Sequence, residues 1–442
     1  MERLPIRGGN WNNGATAGLG ALNLNNARSN ANNNIGFRPR FRSPSKPEVA
    51  RLKPRLQRRL VERMPHPRRQ AKNNQQPARG TKQGSLLAAP HDMKTFNNLF
   101  EKISTFDALY AAYRGARRGK RDSRPCMYFE RRLEENIIGL LNDLEHGSYR
   151  VGPYRSFAVH EPKTRTITAL TLFRDRVLQH AIVTAISPIW EARFISDSYA
   201  CRIGKGTHAG ADRVQEMMRE CLRQHGRVYA LKADVRRYFA SIHHDTLKSL
   251  LARRIADRRM LALLFLIIDS YHTPGCPGYG IPIGSLTSQL FANIYLDALD
   301  QHVKCRLRVR WYVRYMDDWV IIGPSKAELH GLRLALTQWL DVNLGLELNQ
   351  KTQVFPVSAG HGRGLDFLGY HMWPHRRRLR KASLKRFKRR VRRLRRDYAT
   401  GNTTLPEIRQ QLSSWLAHAK HGHAQPAVEK FLSENPFIRR ST

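Results

Sequence analysis

Three aspartates are the residues of this sequence whose types and spacing could do chemistry. Asp317 and Asp318 are adjacent in "VRYMDDWVII" (313–322), where the flanking residues are apolar or alternate as in β-strands. This pattern predicts a packed hairpin with both carboxylates at its tip. Burying carboxylates without counter-charge is costly, so either the tip is exposed or the carboxylates hold cations. Taken alone, the pair is better interpreted as an exposed Asp-Asp turn.

A third carboxylate, Asp234, ends the strand predicted in "VYALKADVRRYFASIHHDTL" (228–247), just before a predicted helix. If that strand lies beside the hairpin tip, three carboxylates converge with the main-chain carbonyl of Val235. Hard oxygen ligands of this kind suit Mg²⁺. Two such ions would activate an attacking hydroxyl and stabilise a leaving pyrophosphate in phosphoryl transfer. The convergence is a hypothesis, because spacing along the chain does not show it.

The elements that must position these residues mix helices and strands without a strict βαβ alternation, which predicts an α+β fold. Apolar residues at helical spacing run from Phe96 to Tyr110. Further helices are predicted over 128–146, 174–190, 208–224, 245–270 and 286–306. Strands are predicted over 228–234, 309–315 and 319–322, and a strand–turn–strand pattern over 148–170.

The charge of the chain is extreme: 77 Lys and Arg against 35 Asp and Glu give a net charge of +42. Such an excess indicates a polyanionic partner, most often nucleic acid, rather than a merely soluble basic surface. The excess is densest over 376–396, where 14 of 21 residues are Lys or Arg. An apolar stripe recurs there at helical spacing, at Leu384, Phe387, Val391, Leu394 and Tyr398. This segment is therefore predicted to be an amphipathic helix that contacts nucleic acid.

The five cysteines are scattered and show no metal-ligand spacing, which predicts neither a disulfide framework nor a zinc site. A reduced, cytoplasmic compartment fits this usage. The longest apolar run, "LALLFLII" (261–268), is too short to cross a bilayer. No membrane partner is expected, and the chain is expected to be soluble.

The N-terminal segments differ from the rest in composition. Ten Asn fall between Asn10 and Asn34, with Gly, Ala and Ser between them. Residues 39–92 are rich in Arg and Pro and read as a flexible basic linker. We expect residues 1–92 to form a disordered basic extension with no catalytic role.

Seven motifs in order resemble those of reverse transcriptases: "EPKTRTI", "SYACRIGKGTH", "DVRRYF", "GIPIGSLTSQLFANIYLD", "YMDD", "LNQKTQ" and "DFLGY". The resemblance covers roughly residues 95–375. It implies a right-hand polymerase fold, with fingers and palm over 93–372 and a helical basic thumb over 373–442. The implied activity is RNA-directed DNA polymerisation.

The resemblance also implies individual roles. Asp234, Asp317 and Asp318, with the Val235 carbonyl, would hold two Mg²⁺ ions, with Mn²⁺ able to substitute. Lys351 would protonate the leaving pyrophosphate as a general acid.

Other positions would bind the nucleotide and primer. Lys163 and Arg165 would grip the triphosphate. Phe239 would exclude a ribose 2′-OH, although from the residues alone it reads as a core Phe at the start of a helix. The primer grip would be formed by Phe367, Leu368 and Gly369.

One motif points to a subgroup. Where most bacterial reverse transcriptases have Gln-Gly and Ser-Pro, this chain has Ile283-Gly284 and Ser288-Gln289. This is similar to the enzymes of diversity-generating retroelements, which copy a template RNA and misincorporate opposite its adenines. Ile283 cannot make the polar contact of a glutamine at the incoming nucleotide, which would bring correct and incorrect pairs closer in energy.

The same resemblance implies binding partners for the chain and an origin for residues 1–38. The expected partners are a structured template RNA, dNTPs, the cDNA primer and product, and a small basic accessory variability protein. Residues 1–38 resemble an Asn-rich template repeat read in frame, in a bacterial or phage-encoded element. An alternative is a low-complexity arm without that origin.

Two other functions stay open. One is a bacterial reverse transcriptase of retron, group II intron or phage-defence kind, without adenine-specific errors. The other is an RNA-binding scaffold that has lost catalysis, which the intact Asp234, Asp317, Asp318 and Lys351 argue against.

Overall fold

The computed structural model of this chain describes residues 94–160 and 165–439. The predictions for residues 1–38, for the linker over 39–92 and for Lys163 lie outside these ranges. No helix in the described ranges is long and apolar enough to cross a membrane.

Helices and strands alternate irregularly along the described chain. The helices are α1 (Phe106–Arg117), α2 (Arg124–Arg131), α3 (Leu133–Glu145), α4 (Phe173–Glu191), α5 (Thr207–His225), α6 (Tyr238–Ser241), α7 (His244–Ala252), α8 (Arg258–Asp269), α9 (Leu286–Gln301), α10 (Lys326–Leu344), α11 (Lys381–Ala399), α12 (Leu405–His421) and α13 (Gln425–Ser433). The strands are β1 (Tyr154–Val159), β2 (Arg165–Leu170), β3 (Tyr229–Asp234), β4 (Tyr312–Tyr315), β5 (Asp318–Gly323), β6 (Gln353–Pro356), β7 (Leu365–Phe367), β8 (Tyr370–Trp373) and β9 (Arg376–Leu379).

The strands form three antiparallel sheets. β1 and β2 form a hairpin, β7, β8 and β9 form a three-stranded sheet, and four strands pair in the order β4-β5-β3-β6. The two inner strands of the four-stranded sheet, β5 and β3, carry Asp318 and Asp234. The predicted mixed helix-and-sheet fold is confirmed.

Two separate hydrophobic clusters stabilise the described chain. The larger one extends from Leu99 to Met372 and includes most of α9, whose residues are buried on nearly every side. A helix buried all round must lie in the middle of the core. The smaller cluster belongs to the last three helices and is centred on Phe387, whose ring stacks on Trp415 at 3.6 Å.

Several predicted helices are divided in the structure. The helix predicted over 245–270 breaks between α7 and α8, because the Asp257 carboxylate caps α8 by accepting from Met260 N. The same carboxylate accepts from the main-chain N–H groups of Leu99 and Phe100. The chain before α1 is therefore held in turns, and its predicted helix begins only at Phe106.

Other boundaries differ as well. The helix predicted over 128–146 is two helices separated by Arg132, whose backbone is not helical (φ −135°, ψ 57°). The strand predicted over 309–315 is limited to β4. The helix predicted over 286–306 ends its α-helical part at Gln301 and finishes with a π-helical turn over His302–Arg306. The basic stretch from Arg376 begins as strand β9 and becomes helical only at Lys381.

Candidate active site

The structure brings two of the three predicted aspartates directly together. Asp234 ends β3 and Asp318 begins β5, and they are partners in the antiparallel register of these strands. Residues directly opposite each other in an antiparallel pair point to the same face, with Cβ atoms about 4.5–5.5 Å apart. The two carboxylates therefore start from adjacent points on one face of the sheet.

Asp317 lies in the two-residue loop that joins β4 to β5. Its main-chain carbonyl accepts a hydrogen bond of 3.3 Å from Val235 N, so the loop is attached to the residue after Asp234. Met316, the other loop residue, has a positive φ of 55°, as the primed turns of tight hairpins require at their first position. This loop brings Asp317 beside the end of β3.

The tip of this hairpin is not an exposed turn. Asp317 is 6% exposed and Asp318 is 8% exposed, so the interpretation of an exposed Asp-Asp turn is wrong for this chain. Burial requires counter-charge or hydrogen bonds for both carboxylates.

Part of that counter-charge comes from Lys232. It precedes Asp234 by two residues on β3, so the two side chains share one face of the sheet. Burial lowers the pKa of Lys232, and the charges of Asp318, Asp366 and Asp234 oppose this effect. The Lys232 Nζ also donates to the main-chain carbonyl of Asp366 at 2.5 Å, which ties β3 to β7.

The segment that carries Lys351 is held against Asp234. The main-chain N–H of Asn349 donates to the Asp234 carbonyl at 2.7 Å, and its Nδ2 lies 3.4 Å from the Asp234 carboxylate. Lys351 follows two residues later, with its side chain exposed. Its N–H donates to the Asn349 side-chain oxygen at 3.1 Å. The exposed Lys351 thus lies two residues from the side chain that contacts the Asp234 carboxylate.

The predicted primer grip is the tight turn between β7 and β8. Phe367 pairs with Tyr370, and Leu368 and Gly369 form the loop with positive φ values of 51° and 92°. Positive φ at both loop positions is the geometry of a type I′ turn. The Phe367 side chain is buried and that of Leu368 is nearly so, so this turn is fixed by packing.

The predicted nucleotide-binding residues lie where the β1–β2 hairpin meets the start of α9. Arg165 is the first residue of β2. The Ile283 carbonyl accepts from Thr168 N of the same strand at 2.9 Å. Gly284 adopts φ +127°, and a Cβ there would approach the Thr168 carbonyl to 3.1 Å, so the close approach requires glycine. Gln289 follows in the first turn of α9, half-buried.

Phe239 lies in the short helix α6, five residues after Asp234. Its side chain is partly buried against the main core, and its carbonyl accepts from Ile281 N at 2.9 Å. Phe239 therefore packs against the core at the start of a helix, as its local sequence indicates. The Phe239 side chain is nevertheless partly exposed.

The donor set at the hairpin tip fits a hard divalent cation. The predicted ligands are the carboxylates of Asp234, Asp317 and Asp318 and the Val235 carbonyl, and such a set of oxygens suits Mg²⁺ or Mn²⁺. Across residues 94–160 and 165–439, however, no three His, Cys, Asp or Glu side chains are close enough to hold a metal ion together. The three-carboxylate site thus stays a prediction for the metal-bound protein.

Sequence reasoning did not identify Lys232, Asn349 or Arg314. Lys232 carried a usable signal, since it is the residue two before Asp234 on a predicted strand. Asn349 and Arg314 act through contacts with residues 115 and 14 positions away, Asp234 and Asp300. Such contacts leave no mark in local spacing.

Comparison with known proteins finds similarity to reverse transcriptases. Residues 159–372 match the family described as reverse transcriptase (RNA-dependent DNA polymerase). Protein YkfC of Escherichia coli is 28% identical, with 54% of this chain and 72% of YkfC covered. The group II intron-encoded protein LtrA of Lactococcus lactis is 24% identical over 54% of this chain, but only 39% of LtrA is spanned. A solved structure of apo telomerase from Candida tropicalis is similar over 70% of this chain, with a TM-score of 0.40 and 13% identity.

Proposed function

We propose that the chain copies an RNA template into cDNA at the β4–β5 hairpin tip, since residues 159–372 match the reverse transcriptase (RNA-dependent DNA polymerase) family. The observation that carries this proposal is the direct pairing of Asp234 with Asp318, with Asp317 attached to Val235 by a main-chain hydrogen bond. Within a polymerase domain, adjacent buried carboxylates at a strand end are the groups expected to hold the catalytic cations.

In this proposal, Asp234, Asp317, Asp318 and the Val235 carbonyl would hold two Mg²⁺ ions. The ions, when bound, would polarise the phosphate and the attacking primer hydroxyl. Lys232 neutralises part of the carboxylate charge before binding. Asn349 orients Asp234 through its two contacts. Lys351 donates a proton to the departing pyrophosphate oxygen.

The remaining contacts would select the nucleotide. Lys163 and Arg165 would bind the triphosphate, and Phe239 would lie under the sugar. Gly284 and Gln289 would line the nucleotide site. Ile283 gives the base pair an apolar neighbour in place of a hydrogen-bonding one.

The right-hand arrangement belongs to the same proposal. The β1–β2 hairpin would be part of the fingers, the four-stranded sheet the palm, and the last three helices the thumb. The thumb would hold the template–primer through the exposed arginines of α11, and the β7–β8 turn would steady the primer end.

We further propose that the enzyme is of the diversity-generating type. This rests on Ile283-Gly284 and Ser288-Gln289 and on the Asn-rich residues 1–38. Errors would then concentrate opposite template adenines, and a small basic accessory protein would join the enzyme and its template RNA in the bacterial cytoplasm.

A second candidate is a reverse transcriptase of group II intron type. It is favoured by the similarity to LtrA, whose printed description is a group II intron-encoded protein. Such an enzyme would copy RNA without errors specific to adenine.

Primer extension by the purified chain on a defined RNA template, followed by sequencing of the cDNA, tests these proposals. Errors concentrated opposite adenines would support the diversity-generating type. Accurate cDNA would keep the polymerase and favour the second candidate. If no cDNA forms even when the native RNA and accessory protein are supplied, the polymerase proposal fails and the RNA-binding scaffold is favoured.

A further inference from the structure

A fully buried arginine lies directly behind the hairpin tip. Arg314, in β4, is 0% exposed and pairs with Asp300 of α9, which is also 0% exposed. Its Nε lies 2.8 Å from one Asp300 oxygen and its Nη2 lies 2.6 Å from the other. This is the two-pronged geometry that only a guanidinium offers to a carboxylate.

The third nitrogen of the guanidinium, Nη1, contacts the loop between β4 and β5. Arg314 Nη1 donates to the Met316 carbonyl at 3.1 Å and to the Asn293 side-chain oxygen at 3.1 Å. Met316 is the loop residue with positive φ, and its carbonyl belongs to the peptide group that connects it to Asp317. A donor on that carbonyl fixes the plane of the peptide and hence the direction in which Asp317 leaves the loop.

Each partner of Arg314 is itself held in place. The Asp300 carboxylate accepts from Tyr312 Oη at 2.8 Å. Asn293 Nδ2 donates to the Ala200 carbonyl at 2.9 Å. The arginine is therefore locked between α9 and β4 and has little freedom to follow movements of the loop.

Stability alone does not account for this arrangement. A buried ion pair is often no more stable than well-packed apolar residues of similar volume, because both charges lose their hydration. An apolar pair would nevertheless leave the Met316 carbonyl without its donor. What the arginine supplies and an apolar residue cannot is a fixed hydrogen bond to the loop.

We propose that Arg314 is a positioning residue that holds the Met316–Asp317 peptide so that Asp317 and Asp318 keep the orientation needed to bind a divalent cation. This inference rests on the proposed function of those aspartates as metal ligands. Arg314 itself does not contact the cation. Outer partners of this kind typically change metal affinity by about 10- to 100-fold when removed.

The test is to titrate the purified chain with Mn²⁺ alone and to measure the free ion by its electron paramagnetic resonance signal, which gives the affinity. Thermal unfolding of each variant is measured in parallel. Arg314→Lys keeps a positive charge for Asp300 but loses the planar fork. We expect Mn²⁺ binding to weaken by about 10-fold or more. Unchanged Mn²⁺ affinity in the folded variant would overturn the proposal.

A matched control is Arg377→Lys. Arg377 is also buried and likewise contacts a carboxylate, a side-chain amide and a main-chain carbonyl, those of Asp212, Gln215 and His421. It lies in β9, which belongs to a different sheet from the β4–β5 hairpin. The control should lower the unfolding temperature comparably but leave Mn²⁺ affinity unchanged, and an equal loss of affinity would overturn the proposal.

A second variant guards against misfolding. Arg314→Met combined with Asp300→Leu removes both charges, so it should fold, yet it still lacks the donor to Met316. We expect it to be stable and weak in Mn²⁺ binding. Wild-type affinity, or failure of both Arg314 variants to fold while Arg377→Lys folds, would assign Arg314 to folding only. Asp317→Asn separates the two hypotheses, because unchanged Mn²⁺ affinity in that variant would contradict the metal site itself.

Discussion

At the scale of single residues, the site depends on the groups that compensate the negative charge of two adjacent buried carboxylates, Asp317 and Asp318. The sequence indicated the hairpin and the two aspartates, because apolar flanks around a polar pair are a local signal. It did not indicate burial of the pair, since the compensating groups are Lys232 on β3 and the N–H of Val235 just after β3, about 80 residues earlier in the chain. Local pattern reveals which residues are unusual, and only the fold reveals what compensates them.

Ile283 gives a prediction at this scale. In the proposed nucleotide site, replacing it with Gln or Asn would add a hydrogen-bonding group beside the incoming base pair. One such bond is worth about 1 kcal/mol, or roughly a fivefold change in discrimination. We expect the error frequency opposite template adenines to fall by about that factor, measured by sequencing cDNA from a defined template.

Ile138→Gln is the matched control, since Ile138 lies on α3 and is 48% exposed. Its error spectrum should equal that of the wild-type chain. If Ile283→Gln and Ile283→Asn left the adenine errors unchanged, Ile283 would have no part in fidelity.

At the scale of elements, the structure links β3, the strand that carries Asp234, to the C-terminal helices. Lys232 of β3 contacts the Asp366 carbonyl, and the Asp366 carboxylate accepts from Arg380 Nε at 2.5 Å. Arg380 immediately precedes α11. The orientation of α11 is therefore coupled to the strand that carries Asp234 by two contacts at a single aspartate.

The elements also show where sequence reasoning succeeds. The apolar stripe of α11 was predicted correctly, since Phe387, Val391 and Leu394 are buried. Its start was not, because the arginines from Arg376 have no local feature that separates strand from helix. The break between α7 and α8 was missed for a different reason. Asp257 caps α8 through Met260 N, three residues later, which is a local signal, but the apolar pattern of 245–270 continues past it. The other two partners of its carboxylate, the N–H groups of Leu99 and Phe100, are distant in the sequence.

The cationic face of α11 supports a prediction about nucleic acid. Arg389, Arg392 and Arg396 are exposed and lie within two turns of the helix. If each contacts one phosphate of the duplex, replacing all three with Ala should reduce the slope of log affinity against log salt by roughly 3, about 0.9 for each phosphate. Filter binding of a template–primer at several salt concentrations measures this slope.

The charge-preserving replacement of the same three residues by Lys is the control, and it should retain the wild-type slope. An unchanged slope in the Ala variant would show that this face is only solvated.

At the scale of the whole molecule, a histidine cluster joins the large core to the C-terminal helices. Tyr370 Oη lies 2.8 Å from Nδ1 of His208 in α5 and 2.8 Å from Nδ1 of His418 in α12. The His208 ring also stacks on His421 at 3.9 Å. The charged groups facing this cluster are Arg377, Arg380 and Asp212.

This cluster predicts a loss of stability in acid. Burial, followed by His421, lowers the pKa of His208 from 6.5 to about 4. Burial, followed by His208, lowers the pKa of His418 to about 4. Because the folded-state values lie below the unfolded one, the unfolded chain takes up protons first as pH falls. The free energy of unfolding is therefore not reduced by these two histidines above pH 6.5, and it decreases as pH falls from 6.5 towards 4.

Thermal unfolding across this pH window measures the effect. Replacing both His208 and His418 with Gln should flatten the dependence on pH between about 6.5 and 4. His146→Gln, at an exposed position, should leave it as in the wild-type chain. An equally steep dependence in the double variant would locate the acid-sensitive groups elsewhere.

The central claim is that the β4–β5 hairpin tip and Asp234 form a polymerase active site, and Asp317→Asn tests it most directly. Loss of a metal-binding carboxylate removes several kcal/mol of transition-state stabilisation, which corresponds to about a 10³-fold loss of rate or more. The measurement is primer extension on RNA alongside RNA binding, with the exposed Asp341→Asn as control. We predict that synthesis disappears while RNA affinity stays close to that of the wild-type chain. Synthesis at the wild-type rate, or a parallel collapse of RNA binding, would contradict the assignment.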